Sequence, residues 1–234
     1  MTKNQRTVGR RSVLRTAITG LGAAMVTAGI SGCAVEDSAQ PAQETPPSPS
    51  AENTPAQRGN GHILLAYFSR AGENYYYGGR TNLEIGNTEV LAGMISALIT
   101  CDVLRIEAAE PYPEDYEETV ARNVREQNAD ARPAMVAPLP DIGQYSTVLL
   151  ASGIWNSRAP MIMSTFAERY DFAGKTVHPV TTHAMSGLGT TERDYAASCP
   201  GAAIGQGLAV QGEEVRDAGA AVESWLRGTG LLRG

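Results

Sequence analysis

The sequence predicts one α/β domain, a doubly wound five-stranded parallel sheet in three layers, preceded by an export address and a tether. Three observations predict it. From Ile63 onward, short apolar runs of strand length alternate five times with helical patterns. The runs are continuously apolar, as strands covered on both faces are. The loops after the first, third and fourth runs are rich in Gly, Ser, Thr and Asn, and stand where such sheets bind ligands, at the carboxyl ends of the strands.

Residues 1–32 read as an address. Gly9-Arg10-Arg11-Ser12-Val13-Leu14-Arg15 resembles a twin-arginine export signal, and the run from Ala17 to Ser31 is too short to span a bilayer comfortably. Ile30-Ser31-Gly32-Cys33 resembles a lipobox, which makes Cys33 the expected lipidated first residue. Residues 33–60 are rich in Pro, Ser, Ala, Gln and Glu, with Pro46-Pro47 and Pro49, and bury too little apolar surface to offset their chain entropy. They read as an extended tether holding the domain of residues 61–234 off the membrane.

The formal charge is −6, and removing the five bases ahead of Cys33 leaves −11. Such a body argues against nucleic acid; it fits either plain solubility or partners with basic docking surfaces. Cys101 and Cys199 could pair in an exported protein, but the topology puts them on different flanks of the sheet. No Cys/His cluster has metal-ligand spacing.

Ile63 to Phe68 is the central strand. Thr88 to Ile99 is a helix with Val90, Leu91, Met94, Ile95 and Leu98 on one face, and Asp102 to Glu107 is a short strand. Glu114 to Asp130 is a charged helix expected to turn Tyr116, Val120 and Val124 inward. Thr147 to Ala151 is a buried strand, Met161 to Tyr170 a helix, Thr176 to Thr182 a strand, and Thr191 to Ser198 a helix. Ile204 to Val210 is the last strand and Glu213 to Arg227 the last helix.

Three loops converge on one crevice. After the first strand come Ser69 and Arg70 and, beyond an insertion, Gly86-Asn87-Thr88-Glu89 at a helix start. Asn87 and Thr88 either cap that helix or, with its NH groups and the Ser69 hydroxyl, hold a phosphate. This is no Walker or dinucleotide loop, since neither Gly-Lys-Ser/Thr nor Gly-x-Gly-x-x-Gly follows the strand. Arg70 either adds charge near the phosphate or is a solvated surface residue. After the third strand stands Gly153-Ile154-Trp155-Asn156, with Trp155 an aromatic plate or a rim residue covering the sheet end. After the fourth comes Thr182-His183-Ala184-Met185-Ser186-Gly187-Leu188-Gly189, whose backbone can approach a flat ring.

With these residues in this order, the stretch from Gly61 to Leu226 resembles the flavodoxins. The resemblance implies the strand order 2-1-3-4-5 and bound FMN. It implies Ser69, Asn87 and Thr88 on the phosphate, Trp155 against the isoalloxazine ring, and Thr182, Ser186, Gly187 and Gly189 around the ring edge. His183 there either steers flavin protonation or caps its loop. One departure stands out: Glu73 to Ile85 interrupts the phosphate loop. Either this insertion loops out and the two halves close on the phosphate, or Ser69 to Asn74 forms the cradle alone; the first is favoured because Gly86-Asn87-Thr88 stands at the helix start. Tyr75, Tyr76 and Tyr77 cover the flavin, touch a partner, or belong to a surface flap packed on itself.

Energetically FMN needs no lysine here. Nanomolar binding takes about 12 kcal/mol. Charge-assisted hydrogen bonds contribute about 1.5 to 3 kcal/mol each, and burial of a large ring adds several more. The expected function is therefore FMN-based electron transfer by a lipoprotein on the outer face of the cytoplasmic membrane, an electron carrier more than a turnover enzyme. Its partners would be a redox protein, a membrane reductase or quinone. An FMN-dependent reductase of quinones or other small electrophiles is the second reading, and a flavin-free binding lipoprotein the third.

Overall fold

A run of six residues that is apolar at nearly every position must bury both faces, and β1 (His62–Tyr67) does so at the centre of the sheet. Leu64, Ala66 and Phe68 enter one core, and Leu65 and Tyr67 the other. The computed structural model describes residues 62–233. The expected export address, Cys33 and the tether lie outside the described residues.

After β1 the chain forms β2 (Gly72–Tyr76), β3 (Gly79–Leu83), α1 (Asn87–Leu98), β4 (Asp102–Arg105), α2 (Tyr116–Asn128), β5 (Tyr145–Gly153), α3 (Met161–Arg169), β6 (Thr176–His183) and α4 (Thr191–Ser198). Then come β7 (Ala203–Ile204), β8 (Leu208–Gln211), a 3-10 turn (Gly212–Asp217) and α5 (Gly219–Gly228). The main sheet runs β4-β1-β5-β6-β7, all parallel, with β8 also paired to β6. With β7 and β8 taken as one position, the strand order is the expected 2-1-3-4-5.

Two cores flank the sheet. Ile162, Phe166 and Tyr195 bring α3 and α4 onto one face, and Leu91, Ile95, Val222 and Leu226 bring α1 and α5 onto the other. Cys199 belongs to the first core and Cys101 packs against the second, so the two thiols are free and lie across the sheet from one another. Burial pushes the Cys199 thiol up to about 12.

Four features differ from expectation. The insertion is a β-hairpin, β2 pairing antiparallel with β3, turned by Tyr77 and Gly78 at φ 44° and 87°. The last strand is broken at Gly205-Gln206-Gly207, where the register against β6 slips by one residue, from Val177 opposite Ile204 to Val180 opposite Leu208; a methyl group at Gly205 would fall 2.4 Å from the His178 ring. The last helix starts later, after the 3-10 turn. On α2 the buried residues are Thr119, Asn123 and Glu126, while Val120 and Val124 stay 37% and 40% exposed. The polar stripe can be buried because its atoms are satisfied. Thr119 Oγ1 donates to the Pro113 and Asp115 carbonyls, and Asn123 Oδ1 accepts from Gln127 Nε2. Glu126 accepts from Arg122 Nε at 2.7 Å and from the Tyr112 hydroxyl at 2.8 Å.

Candidate functional site

The parallel strands all end at one rim, and a cavity of about 420 Å³ opens there. Its walls come from the ends of β1, β5 and β6, the start of α1, the outer stripe of α2 and the hairpin.

The two halves of the interrupted loop meet. Glu89 N–H donates to Ser69 Oγ at 3.1 Å, and Gly86 is packed so closely that a methyl group there would lie 2.3 Å from Ser69 Oγ and 2.4 Å from the Arg70 carbonyl. Of the two arrangements left open by the sequence, the insertion therefore loops out. The first NH groups of α1, those of Asn87 and Thr88, have no acceptor within the helix, and both residues line the cavity. Thr88 is buried, its hydroxyl hydrogen-bonded to that of Thr182 at 2.8 Å. That bond ties the helix start to the end of β6.

Trp155 is half-buried in the cavity wall. It packs edge-on against Phe68 at 5.6 Å and Tyr112 at 5.0 Å, so it leans on the core more than its loop position implies. The turn beneath it is tight: Asn156 and Ser157 take φ 52° and 69°, and Trp155 N–H donates to the Arg158 carbonyl at 2.8 Å. Gln127 of α2 latches this turn, donating to the Trp155 carbonyl and accepting from Asn156 Nδ2.

Of the residues expected from sequence, Ser69, Arg70, Asn87, Thr88, Gly153, Ile154, Trp155, Asn156, Thr182, His183 and Ser186 line the cavity. Gly86, Gly187, Leu188 and Gly189 do not; they shape the loops behind it. Gly189 N–H donates to the Ser186 carbonyl, while Thr181 and Thr191 hydroxyls hold the Gly187 and Leu188 carbonyls. Arg70 is on the wall, but its guanidinium donates to the carbonyls of Glu73, Pro113 and Glu114. These bonds fasten the hairpin and leave Nε, buried, without a hydrogen bond among the described residues. Burial pulls its pKa below the ordinary value, against the opposing charge of Glu73.

Asn74 and Tyr75, which the sequence offered only among alternatives, stand on the wall, whereas Tyr116, Val120, Asn123, Val124 and Glu213 were missed as wall residues. The last five belong to α2 and the 3-10 turn, which reach the site through tertiary packing. Three buried atoms of wall residues have no hydrogen bond among the described residues, Arg70 Nε, His183 Nδ1 and Glu213 Oε2. Burial lowers the His183 pKa, partly offset by the Glu213 charge and a backbone hydrogen bond at Ala184, a balance that favours the neutral ring.

A second recess, about 530 Å³, lies by Arg132, Arg158 and Asp194, but its bases are engaged with Asp130, Glu168 and Asp194. Among the described residues no cluster could hold a metal ion, and no helix is long and apolar enough to cross a membrane.

A family model described as flavodoxin matches residues 62–228. The chain belongs to the flavodoxin family. No curated protein matches it. Among solved structures, this flavodoxin is similar to a candidate flavoprotein of Bacteroides eggerthii DSM 20697. They share 27% identity and a TM-score of 0.57 over 73% of this chain and 99% of that one. A candidate flavoprotein of Bacteroides uniformis ATCC 8492 matches at 27% and 0.57 over 71% and 98%. A Lactobacillus acidophilus NCFM flavoprotein in complex with FMN matches at 15% and 0.49 over 67% and 97%.

The family cofactor is FMN, and the residues of this flavodoxin fit it. The Ser69 hydroxyl and the Asn87 and Thr88 NH groups suit a phosphate. The Gly153 to Asn156 and Thr182 to Ser186 segments flank the same cavity. The unpaired His183 Nδ1 and Glu213 Oε2 meet the hydrogen-bonding capacity of the hydroxyls and ring edge of such a group.

Proposed function

We propose that this flavodoxin carries electrons with FMN held in the rim cavity, as a lipoprotein on the outer face of the cytoplasmic membrane. The observation that carries the reading is the closure of Ser69 onto the Gly86-Asn87-Thr88 helix start beside Trp155 and the Thr182 loop. A bound flavin supplies the redox chemistry; the protein binds, orients and shields it. Ser69, Asn87 and Thr88 take the phosphate with neutral donors and a helix start. His183, whose neutral form burial favours, would stand beside the ring in the same cavity. The Arg10-Arg11 and Cys33 motifs support export in the folded state followed by lipid anchoring. Since nicotinamide nucleotides are scarce outside the membrane, the donor we assign is a membrane reductase or quinol, and the acceptor an extracytoplasmic redox protein.

The visible absorption spectrum after cytoplasmic expression tests the cofactor. Yellow protein with flavin bands and quenched fluorescence is expected; colourless protein that ignores added FMN would remove the proposal. Trp155→Ala and Thr88→Val are each expected to weaken FMN binding about tenfold, roughly 1.4 kcal/mol, by fluorescence titration. Cys33→Ser should move the protein from the membrane fraction to the soluble one, and persistence in the membrane would sink the lipid anchor.

One observation favours a second reading, FMN-dependent reduction of a quinone or other small electrophile. Val120 and Val124 place apolar surface on the cavity wall. Steady-state turnover with NAD(P)H and a quinone would favour that reading over a carrier.

A further inference from the structure

The hairpin of β2 and β3 is fixed to the body at several points. Glu73 N–H donates to the Glu114 carbonyl, the Glu73 carboxylate accepts from Tyr116 N–H, and Arg70 clamps the same strand. Arg80 pairs with Glu117 at 3.0 Å and lies over the Tyr116 ring at 3.6 Å. At the far end Tyr77 N–H donates to Glu213 Oε1 at 3.1 Å. The tip is thus held between α2 and the 3-10 turn, at the edge of the cavity that Tyr75 and Glu213 line.

What the tip presents is not explained by folding. Tyr76 and Tyr77 are 47% and 57% exposed, stacked edge-on with centroids 4.9 Å apart. Tyr77 occupies φ 44°, a left-handed position that Gly or Asn adopts at less cost than an aromatic residue. An exposed aromatic pair at such a position contributes little to the core and much to a contact surface, where Tyr is enriched. The charge beside it is negative. The 3-10 turn carries Glu213, Glu214 and Asp217 against one base, Arg216. Desolvation and the charges of Glu214, Tyr76, Glu213 and Asp217 together push the Tyr77 phenol up.

We propose that the Tyr76–Tyr77 tip with its Glu214 and Asp217 rim is a docking surface for a basic protein. The occupant follows from charge: an acidic rim around an apolar centre selects a partner with lysines or arginines around an exposed apolar patch. That such docking serves electron exchange rests on the reading of the neighbouring cavity as the FMN site; the docking itself does not.

The test uses the FMN-loaded protein and a basic c-type cytochrome as probe, with an acidic cytochrome of similar size as control. Affinity is measured at about 10 mM and about 200 mM ionic strength, where screening of exposed charges differs strongly. Binding of the basic probe at low salt, weakened at least fivefold by Tyr76→Ser/Tyr77→Gly, is expected. Glycine suits φ 44°, and the circular dichroism spectrum and FMN content of that variant are expected to match the parent's. Glu214→Gln/Asp217→Asn should weaken binding similarly and flatten the salt dependence. No binding of the basic probe at low salt, equal binding of the acidic one, or unchanged affinity in either double variant overturns the proposal. A parallel FMN titration of the same variants is expected to be unchanged. It reports the cofactor site separately: a parent protein that fails to take up FMN in that titration but still binds the basic cytochrome would sink the flavin reading and leave the docking surface standing.

Discussion

His178 sits on β6 with Nδ1 2.9 Å from the Gln206 carbonyl, and since a carbonyl only accepts, that nitrogen carries the proton. Trp225 Nε1 donates to the same oxygen at 3.1 Å and its ring meets the imidazole edge-on. Burial lowers the His178 pKa, and that of His183 falls for the same reason. Between the lowered folded values and the unfolded value of about 6.5, the unfolded chain binds more protons than the folded one, so stability rises with pH. The contribution is complete above about pH 6.5 and is lost as pH falls toward the folded values. Urea midpoints are expected to drop between pH 7.5 and 5.5, with His178→Gln flattening the drop; equal wild-type midpoints at both would contradict this. Thr88→Val is expected to cost the FMN-free protein about 1 to 3 kcal/mol, because it leaves the buried Thr182 hydroxyl without its partner. Denaturant titration of the colourless protein measures that separately from cofactor loss.

Arg70 joins the hairpin to the body, since its guanidinium satisfies carbonyls on both sides of the joint. Arg70→Ala should leave the main sheet intact and speed amide exchange at residues 72–83, read by hydrogen–deuterium exchange; unchanged protection there would mean that the Glu73, Arg80 and Glu213 contacts hold the hairpin without it. On α2, Arg122→Ala should destabilise by about 3 kcal/mol, because Glu126 keeps a nearly buried charge with only Tyr112 to meet it. These two elements also show where the sequence stopped being legible. A hairpin announced by Asn-Gly is easy to read, but here Tyr77-Gly78 occupies the turn and the strands on either side carry mostly polar residues. The helical period of α2 was visible and its apolar stripe was not the buried one. Local hydrogen bonds made the Thr119, Asn123 and Glu126 stripe cheap to bury, and the cavity left Val120 and Val124 uncovered.

At the scale of the whole molecule, two-sided burial was written in the sequence. The runs at 63–68 and 147–151 contain almost nothing but apolar residues, and the structure fills both cores from them. The break between β7 and β8 was hidden because it is a slip of register against β6, and the His178 ring that packs on Gly205 comes from that neighbouring strand. The cavity depends on the mutual position of many elements, so FMN should stabilise the molecule as a unit. At a hundredfold excess over the dissociation constant, linkage gives about 2.7 kcal/mol. Calorimetry should show a single transition moved upward by FMN, and an unmoved midpoint would rule out selective binding to the folded state. The contact between Gly86 and Ser69 has a further consequence. Because the feet of the hairpin touch, the excursion from Arg70 to Ile85 begins and ends at nearly one place, and the cradle is closed beneath it. A segment mounted that way is a cassette: another of different length and surface could replace it while the parts that line the cavity stay in register.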